Sequence, residues 1–155
     1  MIRSKQNIIC LLIPLFLLSC YSTKNNTTGY SNVQNTLAPC SGDGCTIKGT
    51  VVRIYSERDT TDLSSPCAKA PCKAEISIDE VLSRGSRFTG NIAAGNNVEM
   101  SFLYTLSATT KELFPNLERR YPGLKTGSRF KANVQCRIQP GSDDPRYIVY
   151  EYILL

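Results

Sequence analysis

Apolar and polar positions alternate along this chain in five runs, and each run predicts a strand. The first, Cys45 to Tyr55 (CTIKGTVVRIY), carries Gly49 in its middle and loses its alternation at Val51-Val52. A glycine and a phase slip inside a strand predict a bulge or a sharp bend. In the second, Cys72 to Leu82, Ala74, Ile76 and Ile78 alternate with Lys73, Glu75, Ser77 and Asp79. The third, Val98 to Leu106, puts Val98, Met100, Phe102, Tyr104 and Leu106 on one face. In the fourth, Arg129 to Ile138, the inward set is Phe130, Ala132, Val134, Cys136 and Ile138. The fifth, Tyr147 to Leu154, is apolar on both faces except at Glu151. Strict alternation there sends Ile148, Tyr150, Tyr152 and Leu154 inward and leaves Tyr147, Val149 and Ile153 as an outward stripe. The run Gly141 to Pro145 supplies the turn between the last two strands.

Between the third and fourth strands the period changes. Thr109-x-x-Glu112 has the form of a capping box, and Leu113, Leu117 and Tyr121 follow at helical spacing until Pro122-Gly123. Pro115 limits the segment to two short helical turns. The heptapeptide L-x-x-G-S-R-F occurs twice, at Leu82–Phe88 and Leu124–Phe130. The flanks differ, so the repeat marks one turn-then-strand device used twice.

Three strands, a short helix and two strands follow the order of the OB-fold, and residues 45–155 resemble that five-stranded Greek-key barrel. The class predicted is therefore all-β with one short helix. A bent first strand suits the resemblance, because that strand serves both halves of the barrel.

The N-terminus carries a different pattern. Arg3 and Lys5 precede an apolar run from Ile8 to Leu18, followed by Leu17-Leu18-Ser19-Cys20. The run is too short to span a bilayer and has signal-peptide proportions. Its close resembles the bacterial lipobox, which implies cleavage before Cys20 and lipid attachment to its thiol. Acyl chains gain roughly 0.8 kcal/mol per buried CH₂, so the lipid holds the protein at the cell envelope, with the outer membrane as the expected site. The organisation predicted is a signal peptide at 1–19, a tether at 20–39 and a barrel at 40–155. The tether, YSTKNNTTGYSNVQNTLAP after Cys20, has too few large apolar residues to form a core.

Loss of Arg3 and Lys5 lowers the formal charge from +5 to about +3, a mild excess that names no partner. Of seven cysteines, Cys10 leaves with the signal and Cys20 takes the lipid. Cys40, Cys45, Cys67, Cys72 and Cys136 remain, an odd set that predicts two disulfides and one spare thiol in an oxidising compartment. A zinc site built from the two C-x4-C pairs is the alternative. The OB resemblance implies Cys45–Cys136 as the long-range pair, closing about 90 residues, with Cys40–Cys136 as its competitor. It also implies that Cys67–Cys72 pins the tip of the first long loop.

The ligand face of an OB-fold spans strands two and three. Its outward residues here are Lys73, Glu75, Ser77, Asp79, Glu99, Ser101, Leu103 and Thr105. One cation against three acids, without an aromatic ring, argues against nucleic acid and against a sugar-stacking platform. The chain has no histidine, hence none of the commonest general base. Asp79/Glu80 and Asp143/Asp144 are neighbours rather than facing pairs, so no catalytic residue, cofactor or metal is assigned. Asp59-Thr60-Thr61 resembles the O-glycosylation motif of Bacteroidota envelope proteins.

The function predicted is a non-catalytic binding or accessory module for a protein partner in the envelope, with Tyr147, Val149 and Ile153 as the candidate surface. The alternative is inhibition of an extracytoplasmic hydrolase. Secreted OB-folds with N-terminal cysteines tied into the barrel resemble the netrin and tissue-inhibitor-of-metalloproteinase families. This chain lacks their C-x-C pairs, and its Cys40 follows a tether.

Overall fold

The computed structural model describes residues 37–138, 141 and 144–155, so the expected signal peptide, Cys20 and most of the expected tether lie outside the described residues. Five strands form a closed barrel in the order β1-β2-β3-β5-β4, with β4 returning to β1. They are β1 (Gly44–Tyr55), β2 (Lys73–Arg84), β3 (Asn97–Phe102), β4 (Arg129–Ile138) and β5 (Pro145–Leu154). Every neighbouring pair is antiparallel except β3–β5. The architecture is OB-fold-like.

Strand β1 bends as Gly49 and Val51-Val52 predict. Its register with β2 shifts at Thr46/Ile47, Lys48/Gly49 and Val51/Arg53. Val52 is the extra residue at the last shift, which turns it outward while Val51 stays in the core. The bend lets β1 pair with β4 through Gly44–Thr50 and with β2 up to Tyr55. Closure removes free sheet edges, which would otherwise invite pairing with other chains.

Inside lie Ile47 and Val51 of β1, Ala74, Ile76 and Ile78 of β2, and Met100 and Phe102 of β3, with Phe130, Ala132 and Val134 of β4. Burying one large apolar side chain contributes about 1.5–3 kcal/mol. The β2–β3 loop closes one end of the barrel. Arg84 donates to the carbonyls of Gly90 and Ile92, and the Tyr147 hydroxyl accepts from the Asn91 N–H at 2.9 Å.

Strand β5 departs from the alternation read in the sequence. Val149 pairs with Val134 and Glu151 with Asn133, so Tyr150 is an extra residue in a β-bulge. The bulge reverses the phase: Tyr147 and Val149 face inward before it, and Tyr152 after it. Tyr147 and Val149 are therefore core residues (8% and 2% exposed) rather than an outward stripe. Ile153 is half-buried opposite Lys131.

The helix expected after β3 is also absent. Residues 109–121 make isolated turns: Phe114 N–H bonds to Thr110 O at 3.0 Å, and Leu117 N–H to Phe114 O at 3.3 Å. The side chain that accepts from Leu113 N–H belongs to Thr110, not Thr109. Thr109 Oγ1 instead accepts from Tyr121 N–H at 2.8 Å, across the loop. Pro115 cannot donate to the preceding turn, and Tyr121 gains more from the rings of Tyr104 and Tyr152, 5.1 and 4.8 Å away. Tertiary packing overrides the helical pattern. Among the described residues the one helix is α1 (Pro66–Lys69), in the β1–β2 loop.

Candidate functional site

A cleft of about 490 Å³ opens where the β1–β2 loop meets the end of β3 and the start of β5. That volume lies within the usual range of ligand pockets, roughly 300–1,000 Å³. Glu57, Arg58, Asp59, Thr60 and Thr61 form one wall, and Lys73, Ser101, Phe102 and Arg146 face them, with Cys67 and Cys72 also lining the space.

The loop wall is held by local chemistry. Asp59 Oδ1 accepts from the N–H and hydroxyl of Thr61 at 2.8 and 2.6 Å. Asp62 Oδ1 does the same with Ser64 at 2.9 and 2.6 Å. These turns keep both carboxyls below the usual carboxylate pKa, chiefly through the hydroxyl bonds. Ser65 caps α1 by accepting from Cys67 N–H at 3.2 Å, with Pro66 in the first turn.

Within the loop Asp59 N–H reaches Cys67 O at 3.1 Å, and two contacts fasten its end to the barrel: Phe102 N–H reaches Cys72 O at 2.7 Å, and Leu106 N–H reaches Pro71 O at 2.8 Å. The Cys67–Cys72 disulfide, with Cα atoms 5.4 Å apart, locks the root of the loop next to β2 rather than its tip. The tip instead presents Leu63, 77% exposed.

The cleft carries Arg58, Lys73 and Arg146 against Glu57 and Asp59. Lys73 also lies 3.9 Å from Glu99 on β3. The acidic row foreseen on β2 and β3 is matched by neighbours: Glu75 pairs with Arg53 at 3.2 Å and Asp79 with Arg129 at 3.6 Å. Thr105 falls beyond the end of β3 and is buried.

The remaining cysteines overturn the long-range pair. Cys40, Cys45 and Cys136 are free thiols. Cys45 pairs in register with Val134, so Cys136, two residues on, is a diagonal neighbour. Diagonal Cα separations run about 7–8 Å, beyond the roughly 4.4–6.8 Å of ordinary disulfides. Cys40 forms no disulfide with the barrel either, and its Sγ lies 3.3 Å from Ser83 Oγ, so the disulfide bracing of the N-terminal segment implied by the netrin-like resemblance is not present. Among the described residues no cluster of three or more ligating side chains is placed to hold a metal ion.

The expected Cys67–Cys72 disulfide lies in this loop, whereas nothing in the sequence brings Arg146 or Ser101 to it. The parallel β3–β5 pairing does so, setting Met100 against Tyr147 and thus bringing Arg146 alongside β3. No local pattern in the sequence encodes that pairing. No protein-family model matches the chain, and neither a curated protein nor a solved structure shows significant similarity to it. Fold and site together define an OB-fold-like barrel with a loop-walled cleft.

Proposed function

We propose that this protein is a lipid-anchored envelope module that binds a protein partner through the cleft between the β1–β2 loop and the start of β5, without chemistry of its own. The observation that carries the reading is the pre-built wall of that cleft. Two Asx turns, a capped helical turn and a disulfide fix the loop before any ligand arrives. Ordering a loop on binding costs affinity, so a pre-ordered one favours recognition. The exposed Leu63 at the tip and the charged side chains behind it combine an apolar contact with polar specificity.

The carboxyls of Asp43, Asp59 and Asp62 are held ionised by neighbouring hydroxyls. That state suits turn-building better than proton transfer at neutral pH. The anchor at Cys20 remains the basis of the location.

The test is capture from detergent-solubilised envelope by the tagged full chain, with recovered proteins identified by mass spectrometry. A specific partner should be retained by the wild type and lost from Arg58→Glu/Arg146→Glu. Recovery of a hydrolase whose activity falls on binding would replace the accessory role with inhibition. Equal recovery by the double variant would move the interface away from the cleft. In parallel, Cys20→Ser should abolish acylation and membrane retention; an unchanged acyl-mass signature would remove the anchor.

A further inference from the structure

Strand β4 shows the outside of the barrel an unusual row. Its inward residues Phe130, Ala132 and Val134 alternate with outward Arg129, Lys131, Asn133, Gln135 and Arg137. Three of these five are cations, of which Arg129 is paired with Asp79 of β2 at 3.6 Å, and none is an acid. Lys131 sits directly opposite Lys48 of β1, a like-charged pairing that works against sheet stability. Lys48 is neutralised by Glu80 at 2.7 Å, whereas Lys131 makes no ion pair among the described residues.

The same face receives the N-terminal segment. Asn133 Nδ2 donates to Ala38 O at 2.8 Å, and Gln135 Nε2 meets Ser41 Oγ at 3.3 Å. Arg87 N–H bonds to Gly42 O, and Gly85 N–H to Gly44 O, both at 2.8 Å. Leu37 lies in a groove with Lys131 and the exposed Leu82. The chain upstream of Leu37 therefore departs from beside the cationic row. Only 17 residue steps (37 − 20) separate it from Cys20, a span of roughly 60 Å at full extension. The strand order sets β3, with its share of the cleft, across the barrel from the β1–β4 seam.

We infer that the outward face of β4 rests on a membrane surface rich in phosphate-bearing anionic headgroups, orienting the barrel with its cleft turned away from the lipid. The inference rests on the anchor at Cys20. Basic side chains are drawn to anionic headgroups within about a Debye length, 8–10 Å at ordinary ionic strength. The lipid supplies retention, and the cationic row supplies direction.

The experiment is lysine footprinting of the full, lipidated chain on two kinds of vesicle: phosphatidylcholine alone, and phosphatidylcholine mixed with phosphatidylglycerol. Lys131 on β4 and Lys73 on β2 are both half-exposed; β1 lies between their strands, and Lys73 lines the cleft. On anionic vesicles acetylation of Lys131 should slow by about fivefold relative to Lys73. The ratio should return to its neutral-vesicle value at high salt. Arg129→Gln/Arg137→Gln, checked for folding by circular dichroism, should lose most of that protection while keeping Lys131 as the probe. Equal labelling on both vesicles, protection of Lys73 instead, or undiminished protection in the double variant each overturns the inference. So does equal protection by inorganic phosphate without vesicles, which would mark a soluble-anion site. A chain that partitions with neither vesicle overturns the anchor and the inference together; one that partitions without protecting Lys131 overturns the orientation alone.

Discussion

The repeated L-x-x-G-S-R-F segment holds two glycines that the sequence makes equivalent and the structure does not. A Cβ added at Gly85 would lie 2.2 Å from Gly42 O and 2.7 Å from Ser41 O, both backbone atoms. Gly85→Ala must therefore push the 41–44 turn off the barrel, straining the Gly85–Gly44 and Arg87–Gly42 hydrogen bonds. Overpacking costs about 1–3 kcal/mol, and two weakened hydrogen bonds add about 0.5–1.5 kcal/mol each. The expected loss is about 2–6 kcal/mol. At Gly127 nothing lies within 4 Å, but φ is +83°. Alanine there meets only backbone strain of about 1–2 kcal/mol, partly offset by a stiffer unfolded chain. Asparagine tolerates this left-handed region, so Gly127→Asn should recover part of the loss, while Gly85→Asn should be worse than Gly85→Ala. Urea unfolding followed by circular dichroism measures all four variants. Amide exchange at Cys40–Gly44 should accelerate only in the Gly85 series. Equal costs at the two sites, or rescue by asparagine at Gly85, would refute the steric argument.

Three further outcomes follow from burial and linkage. Val149→Asp should cost about 4 kcal/mol or more, because it places a carboxylate in the core, and Tyr150→Asp about 1 kcal/mol or less; the reverse order in urea would mean that the β5 bulge is misplaced. Thiol labelling of the denatured, non-reduced chain should find Cys40, Cys45 and Cys136 free and Cys67 and Cys72 blocked. In the native state Cys45 should react last, since burial removes access and raises its pKa; a Cys45–Cys136 cross-linked peptide would contradict this. Burial raises the phenols of Tyr121 and Tyr152 to about 12. With folded pKa values above the unfolded one, their contribution is whole below pH 10 and lost as pH rises through about 12. Tyr152→Phe should flatten the alkaline unfolding curve, and an unchanged curve would assign the transition to other groups.

The parts of the fold legible in the sequence are those set by period-two burial on a regular backbone. β2 and β4 match where Ala74, Ile76 and Ile78, and Phe130, Ala132 and Val134, alternate without interruption, but Ile138, expected inward, is 63% exposed at the end of β4. β1 was readable as bent because Gly49 and the Val51-Val52 slip interrupt its pattern. β5 gave no such warning. Ile148, Tyr150 and Ile153 are as apolar as Tyr147, Val149 and Tyr152, so either phase satisfies the alternation and the register with β4 decides. The segment after β3 misled for a related reason. Leu113, Leu117 and Tyr121 recur at four-residue spacing, yet Tyr121 is anchored by ring contacts across the loop that no local pattern predicts. The cleft was half-legible: its disulfide and turn residues are local, whereas Arg146 and Ser101 arrive through pairing of distant strands.

The bends in β1 connect the two surfaces on which the functional argument rests. A straight β1 paired along its whole length with both neighbours would give a flatter sheet. Instead β1 leaves β4 after Thr50, where Val51 N–H turns to Ser128 O at 3.0 Å. Its second half continues with β2 alone, and Val52, Arg53 and the following loop swing outward from that point. The first half of the strand thus receives the N-terminal segment beside the cationic row of β4, and the second half launches the loop that walls the cleft. Because β3 lies across the closed barrel from that seam, the part of the cleft that β3 lines is turned away from it. If the N-terminal segment is tethered to lipid, contact through β4 leaves the cleft open to a partner in the aqueous phase. A barrel that met the membrane through the cleft would instead hide Leu63 and Arg58 in headgroups and expose Lys131, the opposite footprint. The geometry therefore links the N-terminal segment to the cleft through the shape of a single strand.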